Sequence, residues 1–130
     1  ILAEMKALAR ESGTALVWIS HDLATVSALA DRVLVMYAGR IVESGPVGAV
    51  LRAPLHPYTR GLLDSLPAMA EPGQRLRQIP GTAPSLLALP PGCPFAPRCP
   101  RADAACATPP PRAGTADRLV ICHHPLDAAA

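Results

Sequence analysis

The chain is 130 residues long, with a formal net charge of +2, 50% hydrophobic residues and 3% aromatics. Any core must therefore be built from Ala, Leu, Val and Ile, a composition that suits helices packed on a buried sheet. The arginines are spread singly from Arg10 to Arg118, which argues against nucleic acid as a partner, and the longest apolar runs fall far below the roughly 20 residues that span a bilayer.

In chain order, Ile1, Leu2, Met5, Leu8 and Ala9 recur at helical spacing, with Glu4, Lys6 and Arg10 on other faces and a stop at Ser12-Gly13. The pattern is already running at Ile1, with no basic region or cleavage site before it, so a truncated start without a signal peptide is expected. Ala15 to Ile19 is a short apolar run without alternation, which predicts a strand covered on both faces, as in a parallel sheet. It ends at Ser20-His21-Asp22, where Ser20 or Asp22 can cap a helix carrying Leu23, Val26 and Leu29 or Ala30. Val33 to Tyr37, a turn at Ala38-Gly39, and Arg40 to Glu43 predict a β-hairpin.

All 16 prolines lie at or after Pro46, so the first 45 residues can form unbroken elements while the rest is repeatedly interrupted. Pro46 and Pro57 are each suited to open a short helix, the second carrying Tyr58, Leu62, Leu63 and Leu66. His56 and Tyr58 are explained by helix start and packing. Ala68 to Pro91 reads as a linker lying over other surfaces. No internal repeat is present.

Two places carry chemistry. In an open α/β sheet, ligands bind beyond the carboxyl ends of strands, and His21 sits at such a place. Its imidazole can donate to a phosphate oxygen; the alternative is a histidine that only caps the next helix. The second place is the tail, where Cys93, Cys99, Cys106 and Cys122 are the only cysteines in the chain. Their gaps, C-x5-C, C-x6-C and C-x15-C, with His123 and His124 directly after, match neither the usual zinc knuckle nor a ferredoxin-type spacing. Four thiolates suffice for zinc or for an iron-sulfur cluster, and spacing leaves both open beside disulfides and free thiols. His123 is the runner-up ligand. Phe95 is expected to cover the site and Arg98 to stabilise its negative charge.

The run LVWISHDLATVSALADRVLVMYAGRIVESG resembles the segment after the catalytic core in ATP-binding subunits of ABC transporters. HPYTRGLLDSLP and GCPFAPRCPRADAAC, followed by CHH, resemble the C-terminal extension of the oligopeptide/dipeptide importer subfamily, which includes nickel importers. The resemblance implies an α/β fold: residues 1–67 as the C-terminal portion of a P-loop ATPase domain (parallel strand, helix, β-hairpin), and residues 68–130 as an irregular Pro/Cys-rich extension. It implies that His21 is the switch-loop histidine contacting the γ-phosphate of ATP, with magnesium bound elsewhere in the full-length subunit. It also implies a [4Fe-4S] cluster on Cys93, Cys99, Cys106 and Cys122, with zinc as the alternative. Implied partners are a second ATP-binding subunit, expected to be a paralogue, transmembrane permease subunits and, indirectly, an extracytoplasmic substrate-binding protein. The implied place is the cytoplasmic face of the bacterial inner membrane, peripherally bound. G-x-x-x-x-G-K-[ST] occurs nowhere in the chain, so these residues alone are expected not to hydrolyse ATP. The competing reading is a stand-alone metal-binding or protein-interaction module.

Overall fold

The structure, a computed structural model, describes residues 1–127; the last three positions of the expected extension, 128–130, lie outside the described residues. Helix α1 spans Leu2–Ser12 and ends at Gly13, and none of its residues is buried. Helix α2 spans Leu23–Leu29 and is capped by Asp22. Between them the expected parallel strand is not found. Ala15 to Ile19 belongs to no strand, and Val17 and Ile19 are each 91% exposed. A strand buried on both faces exists only with hydrogen-bonding neighbours, and every strand pairing among the described residues is antiparallel and formed by other segments.

The hairpin forms as expected, from β1 (Arg32–Tyr37) and β2 (Arg40–Pro46). Its two-residue turn has φ of 49° at Ala38 and 76° at Gly39. Positive φ at both positions is the geometry whose twist matches that of the flanking strands. Val35 pairs with Glu43 and Met36 with Ile41, so Val42 is an extra residue bulged out of the register. The bulge breaks alternation in β2 and turns both Val42 and Glu43 inward. Two helices follow, α3 (Val47–Arg52) and α4 (Pro57–Asp64). Pro57 occupies the first turn of α4, and the His56 Nδ1 caps it by accepting from the Tyr58 amide at 3.0 Å.

The Pro/Cys-rich extension is not wholly irregular. It contributes β3 (Arg112–Gly114) and β4 (Leu119–Ile121), giving a four-stranded sheet of order β1-β2-β4-β3. Each strand is three residues long, too short to display a period of two, which is why sequence pattern does not announce them. β4 pairs with β2 through Glu43 with Val120 and Ser44 with Leu119, stitching the tail to the hairpin.

The core lies between the hairpin and the tail: Tyr37 and Val42 from the first, Cys93, Phe95 and Cys106 from the second. Both tyrosines and the single phenylalanine of the chain meet there. Ring centroids are 4.6 Å apart for Tyr37 and Tyr58, 5.2 Å for Tyr37 and Phe95, and 5.4 Å for Tyr58 and Phe95. Such pairs contribute about 0.5–1.5 kcal/mol each beyond the area they bury. From the stretch before the cysteines, Ile79 packs against this core. Among the described residues no helix is long and apolar enough to cross a membrane.

Candidate functional site

Four turns bring the cysteines together. Cys99 closes a 3-10 turn over Ala96–Arg98, and Cys106 lies inside another over Ala104–Ala107. The Cys93 amide donates to the Cys106 carbonyl at 2.9 Å. That approach requires Gly92, since a Cβ there would fall 2.1 Å from the same carbonyl oxygen. Cys122 follows β4, and its amide donates to the Pro111 carbonyl at 3.2 Å. All four are free thiols, with Cys93, Cys106 and Cys122 buried and Cys99 half-buried.

The surroundings of two of these thiols favour the neutral form. Burial pushes the Cys99 thiol up, and the thiols of Cys93 and Cys106 push it the same way, against the Arg101 amide. Burial likewise raises Cys122, helped by Cys93, Cys99 and Cys106 and opposed by the His124 amide. Those amides donate to sulfur, Arg101 to Cys99 Sγ at 3.4 Å and His124 to Cys122 Sγ at 3.3 Å. Four thiols in one unit are a donor set that zinc or an iron-sulfur cluster accepts, since a bound cation supplies the positive charge that thiolates need. The set does not converge on one point. Tetrahedral zinc, with bonds of about 2.3 Å to sulfur, requires ligand atoms roughly 4 Å apart. Among the described residues, the trio whose ligand atoms lie within 4.8 Å of one another is Asp103, Cys106 and His124. A cluster that takes one thiolate at each iron corner accommodates a wider set.

Asp103 and His124 are residues that sequence reasoning missed as site groups. Asp103 caps the turn that holds Cys106, its Oδ1 accepting from the Ala105 amide at 2.9 Å. The His124 imidazole beside it holds its carboxyl below the usual carboxylate range. His123, the expected runner-up ligand, instead places Nε2 3.0 Å from the Thr108 carbonyl, to which it donates. Phe95 is buried in the core cluster with Cys93 and Cys106. Arg98 donates to the Pro80 carbonyl at 2.9 Å and to the Tyr37 hydroxyl at 3.3 Å, so its role is to pin the linker over the core.

Two buried polar groups underlie this unit. Glu43 is fully buried. It accepts from the amides of Leu55 at 2.8 Å and His56 at 2.9 Å and from the Arg118 guanidinium at 3.0 Å. Arg118 also donates to the Ala53 carbonyl. His56 is buried too, and burial lowers its pKa to about 4, leaving it neutral near pH 7. Because Nδ1 accepts from Tyr58, the proton sits on Nε2.

His21 lies elsewhere. It is exposed in the bend before α2, which packs on α1 and α3, whereas Cys93, Cys99 and Cys106 belong to the cluster with Tyr37 of β1 and Val42 of β2. Asp22, rather than His21, caps α2: it accepts from the Ala24 amide at 3.0 Å and from the Thr25 hydroxyl at 2.5 Å. The Thr25 hydroxyl first, then the Ala24 amide, holds the Asp22 carboxyl below its ordinary value. The Ser20 hydroxyl accepts from the Asp22 amide at 3.0 Å. With its neighbours fixing the loop, the imidazole of His21 is left presented to solvent.

Residues 42–106 match the family described as oligopeptide/dipeptide transporter, C-terminal region. Among curated proteins, the oligopeptide transport ATP-binding protein OppD of Escherichia coli is 44% identical over 128 residues, covering 98% of this chain and 38% of that protein. The probable D,D-dipeptide transport ATP-binding protein DdpD of the same organism is 48% identical over 122 residues, 94% of this chain and 37% of that one. A putative peptide import ATP-binding protein of Brucella ovis is 51% identical over 118 residues, 85% and 35% of the two chains. The chain thus spans little more than a third of the length of these relatives.

Proposed function

Because the chain belongs to the oligopeptide/dipeptide transporter C-terminal region family, we propose that it forms the C-terminal part of an ATP-binding subunit that couples ATP hydrolysis to peptide import. Peptides are preferred to nickel because the relatives above are named for peptide transport. The observation that carries the reading is the unpaired apolar run Ala15 to Ile19, exposed although its composition is that of an interior strand, and leading directly into His21. Such a run is stable only when a sheet flanks it, and the relatives are long enough to supply one. In this reading residues 1–67 complete the ATPase domain and residues 68–130 form the extension.

His21 then acts at the strand end: its ring N–H donates to a γ-phosphate oxygen and helps position the attacking water. The Ser20-Asp22 bonds fix the backbone around His21, so less loop entropy is lost when its imidazole engages the nucleotide. ATP and magnesium are held mainly by residues outside this chain. The working assembly contains a second ATP-binding subunit, a paralogue, together with permease subunits and a substrate-binding protein, and it sits peripherally on the cytoplasmic face of the inner membrane. The four cysteines are assigned to a [4Fe-4S] cluster, which supplies the positive charge that lets buried thiols ionise together. Their own task is structural, holding four turns against β1 and β2.

The test uses the full-length subunit. His21→Ala should keep ATP binding while lowering turnover by about 100-fold or more, the scale of a lost group that positions or transfers a proton. Turnover within a few-fold of the parent removes the assignment of His21.

A further inference from the structure

Asp103 opens the turn that carries Cys106, while His124 stands two residues beyond Cys122 on the other side of the tail. The fold nevertheless brings the three together, with all ligand atoms within 4.8 Å of one another. His124 Nε2 is 2.7 Å from Asp103 Oδ2, and Cys106 Sγ is 3.9 Å from Asp103 Oδ1. The short nitrogen-oxygen approach pairs the imidazole with the carboxylate. Nε2 is shielded from solvent and finds no partner with hydrogen-bond geometry, although Oδ2 is 2.7 Å away. A ring nitrogen and a carboxylate oxygen already held side by side, with a thiol next to them, need only small rotations to face a common ion.

From this geometry we propose that Asp103, Cys106 and His124 form a mononuclear site for a divalent ion of the zinc class. One oxygen, one sulfur and one nitrogen are the donor types zinc accepts, and three protein ligands leave a fourth position. Asp103 is half exposed, so water has access to the site to fill it. In tetrahedral zinc the ligand atoms stand about 3.3–3.6 Å apart. Closing the site therefore asks Nε2 and Oδ2 to separate by less than about 1 Å and Sγ to draw in. The 3-10 turn holds Asp103 and Cys106 in register, so His124 supplies most of the adjustment.

Cys106 belongs to this trio and also to the four-thiol set. The two occupants therefore compete for one sulfur, and the tail selects its metal state by supply: a cluster where iron and sulfide are available, a divalent ion where they are not. The mononuclear site rests on the trio's geometry and does not require the cluster assignment to be right.

The experiment titrates metal-free, full-length subunit with Co(II), a coloured stand-in for zinc. Expected are tetrahedral visible bands with the charge-transfer intensity of a single thiolate. Asp103→Asn and His124→Gln should each weaken binding by about 10-fold or more, whereas Cys99→Ser should leave it unchanged. Asn still caps the turn, so the first variant keeps the local fold. The inference is overturned if no cobalt is taken up, or if Cys99→Ser abolishes the spectrum while His124→Gln leaves it intact. Anaerobic loading with iron and sulfide reads the other state. Failure of the unsubstituted subunit there removes the cluster assignment alone, and failure of His124→Gln alone shows that His124 serves the cluster and overturns the separate site.

Discussion

Replacing Glu43 by Ala should loosen the join between the hairpin and the tail more than any exposed substitution. The carboxylate is fully buried and accepts three bonds, two from the Leu55 and His56 amides and one from Arg118. Stranding a buried amide costs about 1–3 kcal/mol, and two are stranded together. Arg118 retains the Ala53 carbonyl and its side chain is 19% exposed, so its share is smaller. The sum, about 3–5 kcal/mol, agrees with the range for breaking a buried ion pair from one side. The reporters are the stranded amides themselves, read by hydrogen exchange in the full-length subunit, because a multidomain protein lacks a single unfolding free energy. At about 1.4 kcal/mol per tenfold, exchange at Leu55 and His56 should accelerate by about 100- to 1,000-fold or more. Glu43→Gln keeps one carbonyl acceptor and should fall between the two. If Glu43→Ala accelerates exchange by less than about 5-fold, Glu43 does not hold this junction and the argument from its burial is wrong.

The buried neutral His56 makes the same unit sensitive to acid. Its pKa falls from 6.5 to about 4 on folding, so between these values the unfolded chain binds the proton and the folded one does not. Stability should decline as pH falls from about 6.5 to about 4, by roughly 3 kcal/mol in all. His56→Asn keeps a cap on α4 and should flatten that decline in a pH series of proteolysis rates; an unchanged slope refutes the assignment. Gly92→Ala should cost the subunit its bound metal, because the new Cβ would stand 2.1 Å from the Cys106 carbonyl and force the two turns apart. Elemental analysis against Gly48→Ala, whose added Cβ meets only the flexible end of the Arg52 side chain, separates this effect from general damage.

The parts legible in the sequence are those governed by near neighbours. The stop at Gly13, the Asp22 cap, the Ala38-Gly39 turn and the proline-initiated α4 all depend on residues within one turn of each other. The grouping of four cysteines in one tail was visible for the same reason. Glu43 was not legible, because a two-period reading places it on a solvent face and only the bulge at Val42 turns it inward. His124 was hidden in another way: it belongs with Asp103 across a gap that only the pairing of β4 with β2 closes.

By itself, then, the sequence determined the local elements, the stock of thiols and the histidine at the end of an apolar run. Tertiary structure decided which groups meet: three aromatics over Cys93, Glu43 under the tail, and a carboxylate, a thiol and an imidazole at one point. The division has a physical cause. Caps and turns are selected by dihedral preferences and bonds within a few residues. The junctions depend on burying distant segments together, where one bulge or one short strand reassigns a side chain from water to the core.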